Sequence, residues 1–334
     1  MVPAAPIPSR VLVVRLGALG DVVNALVLAT ALKRARPDVE IGWAVHDLAL
    51  PLVTGHPAVD RVHLWRRGGG SAARRAVLAE IRERRYDLAV DLQRILKSSF
   101  LARRSGAPRV LGWDRARAKE LSWLLTNERI APGPRHEHMV DVYRAFARHL
   151  GADGPAQHVL PTVPEAEAWA DAEVARVAPG RSGGPVLVVP GASKHENRWD
   201  AGRFGEVAGR VAIETDAPVL VVGGPGDAEL AARVVAASGG VAHDLTGATD
   251  VPKLVALTRR SRLVVTGDTG PMHVAVAVGT PVLAVFGPAD PRRTGPYGWT
   301  ERADSRHTVV RAPEGDLARL ESDGVAELAL AKLR

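Results

Sequence analysis

The chain has 334 residues, 46% of them hydrophobic, and a net charge of +7 from 44 Lys and Arg against 37 Asp and Glu. At about 100–200 residues per domain this length predicts two domains, and the absence of cysteine excludes disulfides, thiolate metal sites and thiol catalysis. Aromatic residues, at 4%, are too sparse for the stacking platforms of single-stranded nucleic acid, so the positive charge points to another anionic partner: a nucleotide, a phosphorylated glycan or a membrane surface.

No apolar run reaches the roughly 18 residues of a spanning helix. Residues 1–9 are rich in Pro and Ala and precede a strand-like run, so they do not read as a signal peptide. Both points fit a cytoplasmic protein.

Strand-like runs alternate with helical patterns almost throughout, the signature of parallel sheets covered by helices. In the first half the expected strands are 10–15, 40–45, 61–64, 87–91 and 109–111, with helices over 24–34 and 138–150. Residues 151–164 read as a linker, 165–177 as a helix and 179–185 as a flexible turn. The second half restarts with strands 186–189, 219–222, 241–243, 263–266 and 282–286. A long irregular stretch, 287–313, precedes a last helix over 316–333. The reading is two doubly wound domains, 1–160 and 161–315, followed by a terminal segment 316–334.

In such folds ligands bind where strands release loops at their carboxyl ends. The first strand opens into Arg15-Leu16-Gly17-Ala18-Leu19-Gly20-Asp21. This lacks the first glycine of a dinucleotide fingerprint and puts an anion where pyrophosphate would sit, which counts against a dehydrogenase. Asp21 is either a helix cap or a residue facing a ligand.

In the second half, Val189 to Trp199 offers small residues for close backbone approach, the Ser193 hydroxyl, and the charges of Lys194 and Arg198. With a helix N-terminus following, that composition suits a diphosphate. Gly223 and Asp227 end the next strand, where a carboxylate after a glycine turn accepts ribose hydroxyls or else caps a helix. Thr246 and Gly247 form a similar loop. The most informative run is Val264 to His273, an apolar strand breaking into Asp268-Thr269-Gly270-Pro271-Met272-His273, followed by Gly287-Pro288-Ala289-Asp290-Pro291 after the next strand. Together these loops suit a polyhydroxylated, phosphorylated ligand.

Other chemistries find less support. His136 and His138 stand two apart with no further ligand cluster near them, and no Asp-x-Asp pair occurs, so no metal site is expected. No Gly-x-Ser-x-Gly elbow is present. Of the basic residues Arg66, Arg67, Lys97, Arg104, Arg115, Arg117 and Lys119, we expect Lys97 and Lys119 to meet a ligand and most of the others to be solvated surface.

Taken together these motifs resemble glycosyltransferase family 9, the bacterial heptosyltransferases. The matching pieces are Leu16 to Asp21, Asp87 to Ser98, Gly112-Trp113-Asp114, Pro190 to Trp199, Gly223 to Asp227, and Asp268 to His273 with Phe286-Gly287-Pro288. They cover nearly the whole chain in family order, and the pairing of Asp-Thr-Gly-x-x-His with Gly-Pro-x-Asp-Pro is the most specific of them.

The resemblance implies a GT-B fold, with two Rossmann-like parallel-sheet domains facing a central cleft. Acceptor binding would fall to the first domain and the nucleotide-sugar to the second, with the last helix packing back toward the first. It implies Asp21 as general base, Arg15 as a basic residue beside it and Lys119 as a basic acceptor contact; from their own positions Lys97 is read toward the acceptor, and His138 as a substrate contact or a structural residue. Ser193, Lys194, Asn197, Arg198, Gly223, Asp227, Thr246, Gly247, Asp268, Thr269, Gly270 and His273 would serve the donor.

One departure stands out: the family carries Lys where this chain has Asn197, and Lys194 or Arg198 is the candidate replacement. The function so implied is inverting, metal-independent transfer of a sugar, heptose from ADP-heptose first, to an anionic glycan or lipopolysaccharide-core-like acceptor. No cofactor beyond the donor substrate is expected. A lipid-linked acceptor would bring peripheral contact with the inner membrane. The alternatives are a transferase of the same fold using another nucleotide sugar on a small natural product, and a non-catalytic nucleotide-sugar binder.

Overall fold

The structure, a computed structural model, describes residues 7–179, 183–302 and 304–334. The first six residues, and the middle of the turn expected over 179–185, lie outside the described residues. The chain divides into two compact units, Met1–Pro161 and Thr162–Arg334.

The first unit holds strands β1 (Arg10–Val14), β2 (Glu40–Val45), β3 (Arg61–Leu64), β4 (Leu88–Asp91), β5 (Arg109–Gly112) and β6 (Glu128–Arg129). They form one parallel sheet in the order β3-β2-β1-β4-β5-β6. Its helices are α1 (Leu19–Ala35), α2 (Leu50–Val53), α3 (Ser71–Glu83), α4 (Leu96–Arg104) and α5 (Met139–His149). β1 reads as an unbroken apolar run because both faces are covered, as parallel sheets require. Leu12 and Val14 enter a cluster with Ile81, Tyr86 and Leu101, while the alternate positions Val11 and Val13 face the other side.

The second unit repeats the plan. Strands β7 (Val186–Val189), β8 (Val219–Val221), β9 (Ala242–Asp244), β10 (Leu263–Thr266), β11 (Val282–Phe286) and β12 (His307–Arg311) form a parallel sheet ordered β12-β11-β10-β7-β8-β9. Read from the other edge this is the same 3-2-1-4-5-6 winding. The helices are α6 (Pro164–Val177), α7 (Ala201–Thr215), α8 (Ala228–Ala237), α9 (Val251–Arg259), α10 (Gly270–Val278), α11 (Pro291–Thr294) and α12 (Ser322–Leu333). α7 and α8 pack closely: a β-carbon at Gly205 would lie 2.5 Å from the Val234 carbonyl oxygen.

Three elements differ from expectation. α1 starts at Leu19, five residues before the predicted start, because the Gly20–Val23 turn is stabilised by burial in the core. β6 is two charged residues that become a strand only by pairing with β5, and β12 places a β-branched Thr-Val-Val run inside the stretch read as irregular, where it pairs with β11. The last helix begins at Ser322, after a single 3-10 turn (Leu317–Arg319). It buries Val325, Ala326, Ala329 and Leu330 in the second unit's core with Phe204 and Val207. The reason is local: Trp199 Nε1 donates to the Leu320 carbonyl at 3.0 Å, and Arg203 donates to the Ala318 and Leu320 carbonyls, tying the segment to α7.

Candidate functional site

Each sheet has one topological switch point, β1/β4 in the first unit and β7/β10 in the second, and the motif residues gather at these two strand ends. In the first unit Asp21 is the third residue of α1; the cap position is Ala18, which makes no side-chain capping bond. The capping alternative for Asp21 is therefore set aside. Its carboxylate, 37% exposed, pairs with the guanidinium of Arg15, which is almost wholly buried. Arg15 also donates to the Leu92 carbonyl at 3.2 Å. Thus Arg15, expected to lie toward the acceptor, is a buried clamp that joins the ends of β1 and β4 and holds Asp21 at the solvent edge.

The surrounding loop is bolted on both sides. The Leu16 N–H donates to Gln93 Oε1 at 2.9 Å, Trp43 Nε1 donates to the Arg15 carbonyl at 3.1 Å, and the His46 N–H donates to the Leu16 carbonyl at 2.8 Å. Behind it Asp91 accepts from the Ser99 hydroxyl and from the Gln93 N–H. Burial pushes the Asp91 carboxyl above its ordinary range against those donors, and burial likewise pushes the Tyr143 phenol up, so it stays protonated.

Cations surround this edge. Burial, and then the charges of Lys97 and Arg67, hold the His46 imidazole below its usual range, against the opposing pull of the Trp65 carbonyl. Lys97 is exposed in the first turn of α4, and Lys119 is exposed nearby, its N–H donating to the Arg94 carbonyl at 2.9 Å. His138 is placed differently. It is buried at the start of α5, where its Nδ1 accepts the Val140 N–H at 3.1 Å and caps the helix. Arg117, expected as solvated surface, is buried in a network with Asp114, Glu137 and the Ala131 carbonyl.

In the second unit four strand-end loops are stitched side by side. Asn197 Nδ2 donates to Asp268 Oδ2 at 3.4 Å, and a β-carbon at Gly267 would lie 3.2 Å from the Asn197 carbonyl oxygen, so the β7 and β10 loops touch. A β-carbon at Gly191 would fall 2.6 Å from Asp227 Oδ1, which brings the β8 loop against the β7 loop. The Gly247 N–H donates to the Gly223 carbonyl at 2.9 Å, adding the β9 loop.

Asp227 sits at the N-cap position of α8 without a side-chain capping bond to it; Oδ2 accepts the Gly224 N–H at 2.9 Å and the carboxylate lies beside Gly191. Its glycine neighbours are required by that close approach, since any side chain at Gly191 would overlap it.

Ser193 and Lys194 are exposed on the β7 loop, with Lys194 3.8 Å from Glu196, while Arg198 folds back to donate to the Ala192 carbonyl at 2.9 Å. Trp199, buried, anchors the end of that loop. Thr269 is the N-cap of α10, its hydroxyl accepting the Met272 N–H and meeting Thr266 Oγ1, so Gly270 and His273 start that helix beside Asp268. Thr246 is half-buried with its N–H on Asp244. Asp290 of the Gly-Pro-Ala-Asp-Pro run caps α11 and pairs with Arg292.

Asp91 and Gln93 fall inside the Asp87 to Ser98 motif, but no individual role for them was legible in the sequence. Their only signal was the polar Asp-x-Gln at the end of β4, and the place of Gln93 appears once it accepts the Leu16 N–H 77 residues earlier. Among the described residues no three His, Cys, Asp or Glu side chains group as metal ligands, and no helix is long and apolar enough to cross a membrane.

Two parallel six-stranded sheets with flanking helices, each carrying its polar loops at a switch point, define a GT-B glycosyltransferase architecture. The family model of glycosyltransferase family 9 (heptosyltransferase) matches residues 74–316. The chain belongs to that family and is a glycosyltransferase. It is 30% identical over 305 residues to lipopolysaccharide heptosyltransferase 1 of Pseudomonas aeruginosa, covering 86% of this chain and 81% of the relative. It is 26% identical over 299 residues to the lipopolysaccharide core heptosyltransferase OpsX of Haemophilus influenzae, covering 87% and 82%. Among solved structures, the E. coli heptosyltransferase WaaC with ADP superposes with a TM-score of 0.78 at 25% identity, covering 97% of this chain and 99% of that one.

Proposed function

We propose that this enzyme transfers heptose from ADP-heptose to a hydroxyl of an anionic, lipopolysaccharide-core-like acceptor, with inversion and without a metal ion. The observation that carries the reading is Asp21, a half-exposed carboxylate held at the end of β1 by a buried arginine. A sugar hydroxyl is a poor nucleophile until it loses its proton, and a carboxylate within hydrogen-bond reach (about 2.6–3.2 Å) takes that proton as the new bond forms. The hydroxyl oxygen attacks the anomeric carbon, the bond from that carbon to the diphosphate breaks, and the electron pair leaves with the diphosphate. One in-line displacement inverts the configuration. Lys97 and Lys119, and Arg15 through Asp21, serve the acceptor side; His138 supports it by capping α5.

On the donor side, backbone N–H groups from Gly191 to Ser193, with Ser193, Lys194 and Arg198, oppose the charge that grows on the departing diphosphate. Asp227 accepts the ribose hydroxyls, with Gly223, Thr246 and Gly247 lining the nucleoside. Asp268, Thr269, Gly270 and His273 hold the sugar, and Asn197 orients Asp268. The relatives, lipopolysaccharide heptosyltransferases of Pseudomonas aeruginosa and Haemophilus influenzae, and the ADP of the E. coli structure support this donor and acceptor class. A donor with a different base or sugar is the second reading, favoured by Asn197, whose neutral amide is spent on Asp268 rather than on a phosphate.

Incubation with ADP-heptose and delipidated core oligosaccharides, followed by mass spectrometry and NMR of the product, tests the proposal. An added heptose with inverted configuration, undiminished by EDTA, is expected. Turnover confined to UDP- or GDP-sugars would favour the second reading, and a retained configuration would end the mechanism.

The donor side has its own test. Gly191→Ala places a methyl group where the Asp227 carboxylate lies. The donor KM should rise on the order of tenfold or more as the carboxylate is displaced, with acceptor KM and fold unchanged. An unaltered donor KM would remove Asp227 from the ribose site.

A further inference from the structure

We propose that the outer face of α4 and the adjoining 3-10 turn, Ser122–Leu125, forms a docking surface for an anionic lipid bilayer. Leu96 and Phe100 stand one turn apart on α4 and are each 48% exposed; Leu121 and Leu124 are 63% and 60% exposed. Leu121 precedes the 3-10 turn, and its carbonyl accepts the Leu124 N–H at 2.9 Å, which holds the two residues together. The two elements pack together, and the Leu96 N–H donates to the Glu120 side chain at 3.1 Å, so the four apolar side chains belong to neighbouring backbone. Scattered exposed leucines need no explanation, but a cluster rimmed by charge does.

The charge around it is unusual. Residues 94–135 hold ten Lys and Arg against three Asp and Glu, an excess of seven. That equals the net charge of the entire chain; outside this segment the remaining 34 cations and 34 anions balance. Arg117 and Arg109 are taken up by Asp114, Glu137 and Glu128. Arg103, Arg104, Arg115 and Lys119 are exposed. Arg104 lies 5.1 Å from the Phe100 ring centroid, and Arg115 lies 4.0 Å from that of Trp123. Apolar side chains flanked by arginine on an aromatic ring match the headgroup region of a bilayer, where the apolar part enters and the cation meets lipid phosphate. α4 also starts at the strand-end edge that carries Asp21, so a bilayer on its face would present lipid-linked hydroxyls near the proposed base.

The test uses the full chain, no sugar substrate, and vesicles of phosphatidylethanolamine with phosphatidylglycerol, compared with phosphatidylcholine alone. This separates it from the donor and acceptor reading. Wild-type protein should float with the anionic vesicles only and be released at about 0.5 M salt. Arg103→Gln with Arg104→Gln should weaken partition on the order of tenfold. Leu96→Ser, Phe100→Ser, Leu121→Ser and Leu124→Ser together should weaken it by at least as much, with an unchanged melting temperature and circular dichroism. If the apolar variant fails to fold, the arginine variant, which touches only surface, decides. Equal binding to phosphatidylcholine, no binding by wild type, or wild-type binding by the arginine variant overturns the proposal. So does a patch that only mediates self-association, seen as a dimer in sedimentation that the serine variants dissolve without any vesicle binding.

Discussion

Asp21→Asn should lower kcat by about 10²–10⁴-fold, the range for loss of a general base, with a melting temperature near that of the wild type. Asparagine keeps the shape of aspartate and an oxygen that accepts from Arg15, but it cannot take a proton from the acceptor hydroxyl. Because Asp21 is partly exposed and Arg15 also donates to the Leu92 carbonyl, the arginine stays bonded in the variant. The loss should therefore fall on kcat, with acceptor and donor KM little changed, as expected when an interaction acts in the transition state. Single-turnover rates with saturating substrates measure this directly. A kcat within about twofold of wild type would remove Asp21 as the base.

The largest effect on stability is expected at Arg117. Its guanidinium donates to Asp114, to Glu137 Oε2 at 2.6 Å and to the Ala131 carbonyl at 3.0 Å, in a site where the Arg117 and Asp114 side chains are both almost wholly buried. Truncating one member of a buried pair leaves the other charge uncompensated, at a cost of about 3–5 kcal/mol. Arg117→Ala should therefore lower the unfolding free energy of the first unit by that amount, read in urea from a lower midpoint at an unchanged slope. Arg117→Met combined with Asp114→Asn should recover part of it, because the more deeply buried of the two stranded carboxylates, Asp114, is then neutral. A loss below about 1 kcal/mol in the single variant would show that water reaches the pair.

These two residues illustrate how differently the sequence informs. Asp21 was legible because its position follows an apolar strand and a Gly-x-x-Gly turn, so local pattern alone put it at a strand's carboxyl end. Arg117 was not, since an arginine in a basic stretch reads as solvated surface; only the return of Glu137 and Ala131 from further along the chain makes it a core residue. His138 read from the sequence as either substrate-contacting or structural, and the structure adds a local role, the cap of α5 through the Val140 N–H.

The strands and most helices of both units were set by local periodicity and by turns of Gly, Pro and Asp, which need no distant partner. The strand-end loops of the second unit were likewise fixed as loops by composition, and the family by their order. Tertiary structure alone decided what meets what: that β6 and β12 are strands, that α12 belongs to the second unit's core, that Arg15 clamps Asp21, and that Asn197 reaches Asp268. The physical reason is range. Propensity and amphipathic spacing act within a few residues, whereas edge-strand hydrogen bonds, buried ion pairs and the approach of Asp227 to Gly191 exist only after distant segments have packed.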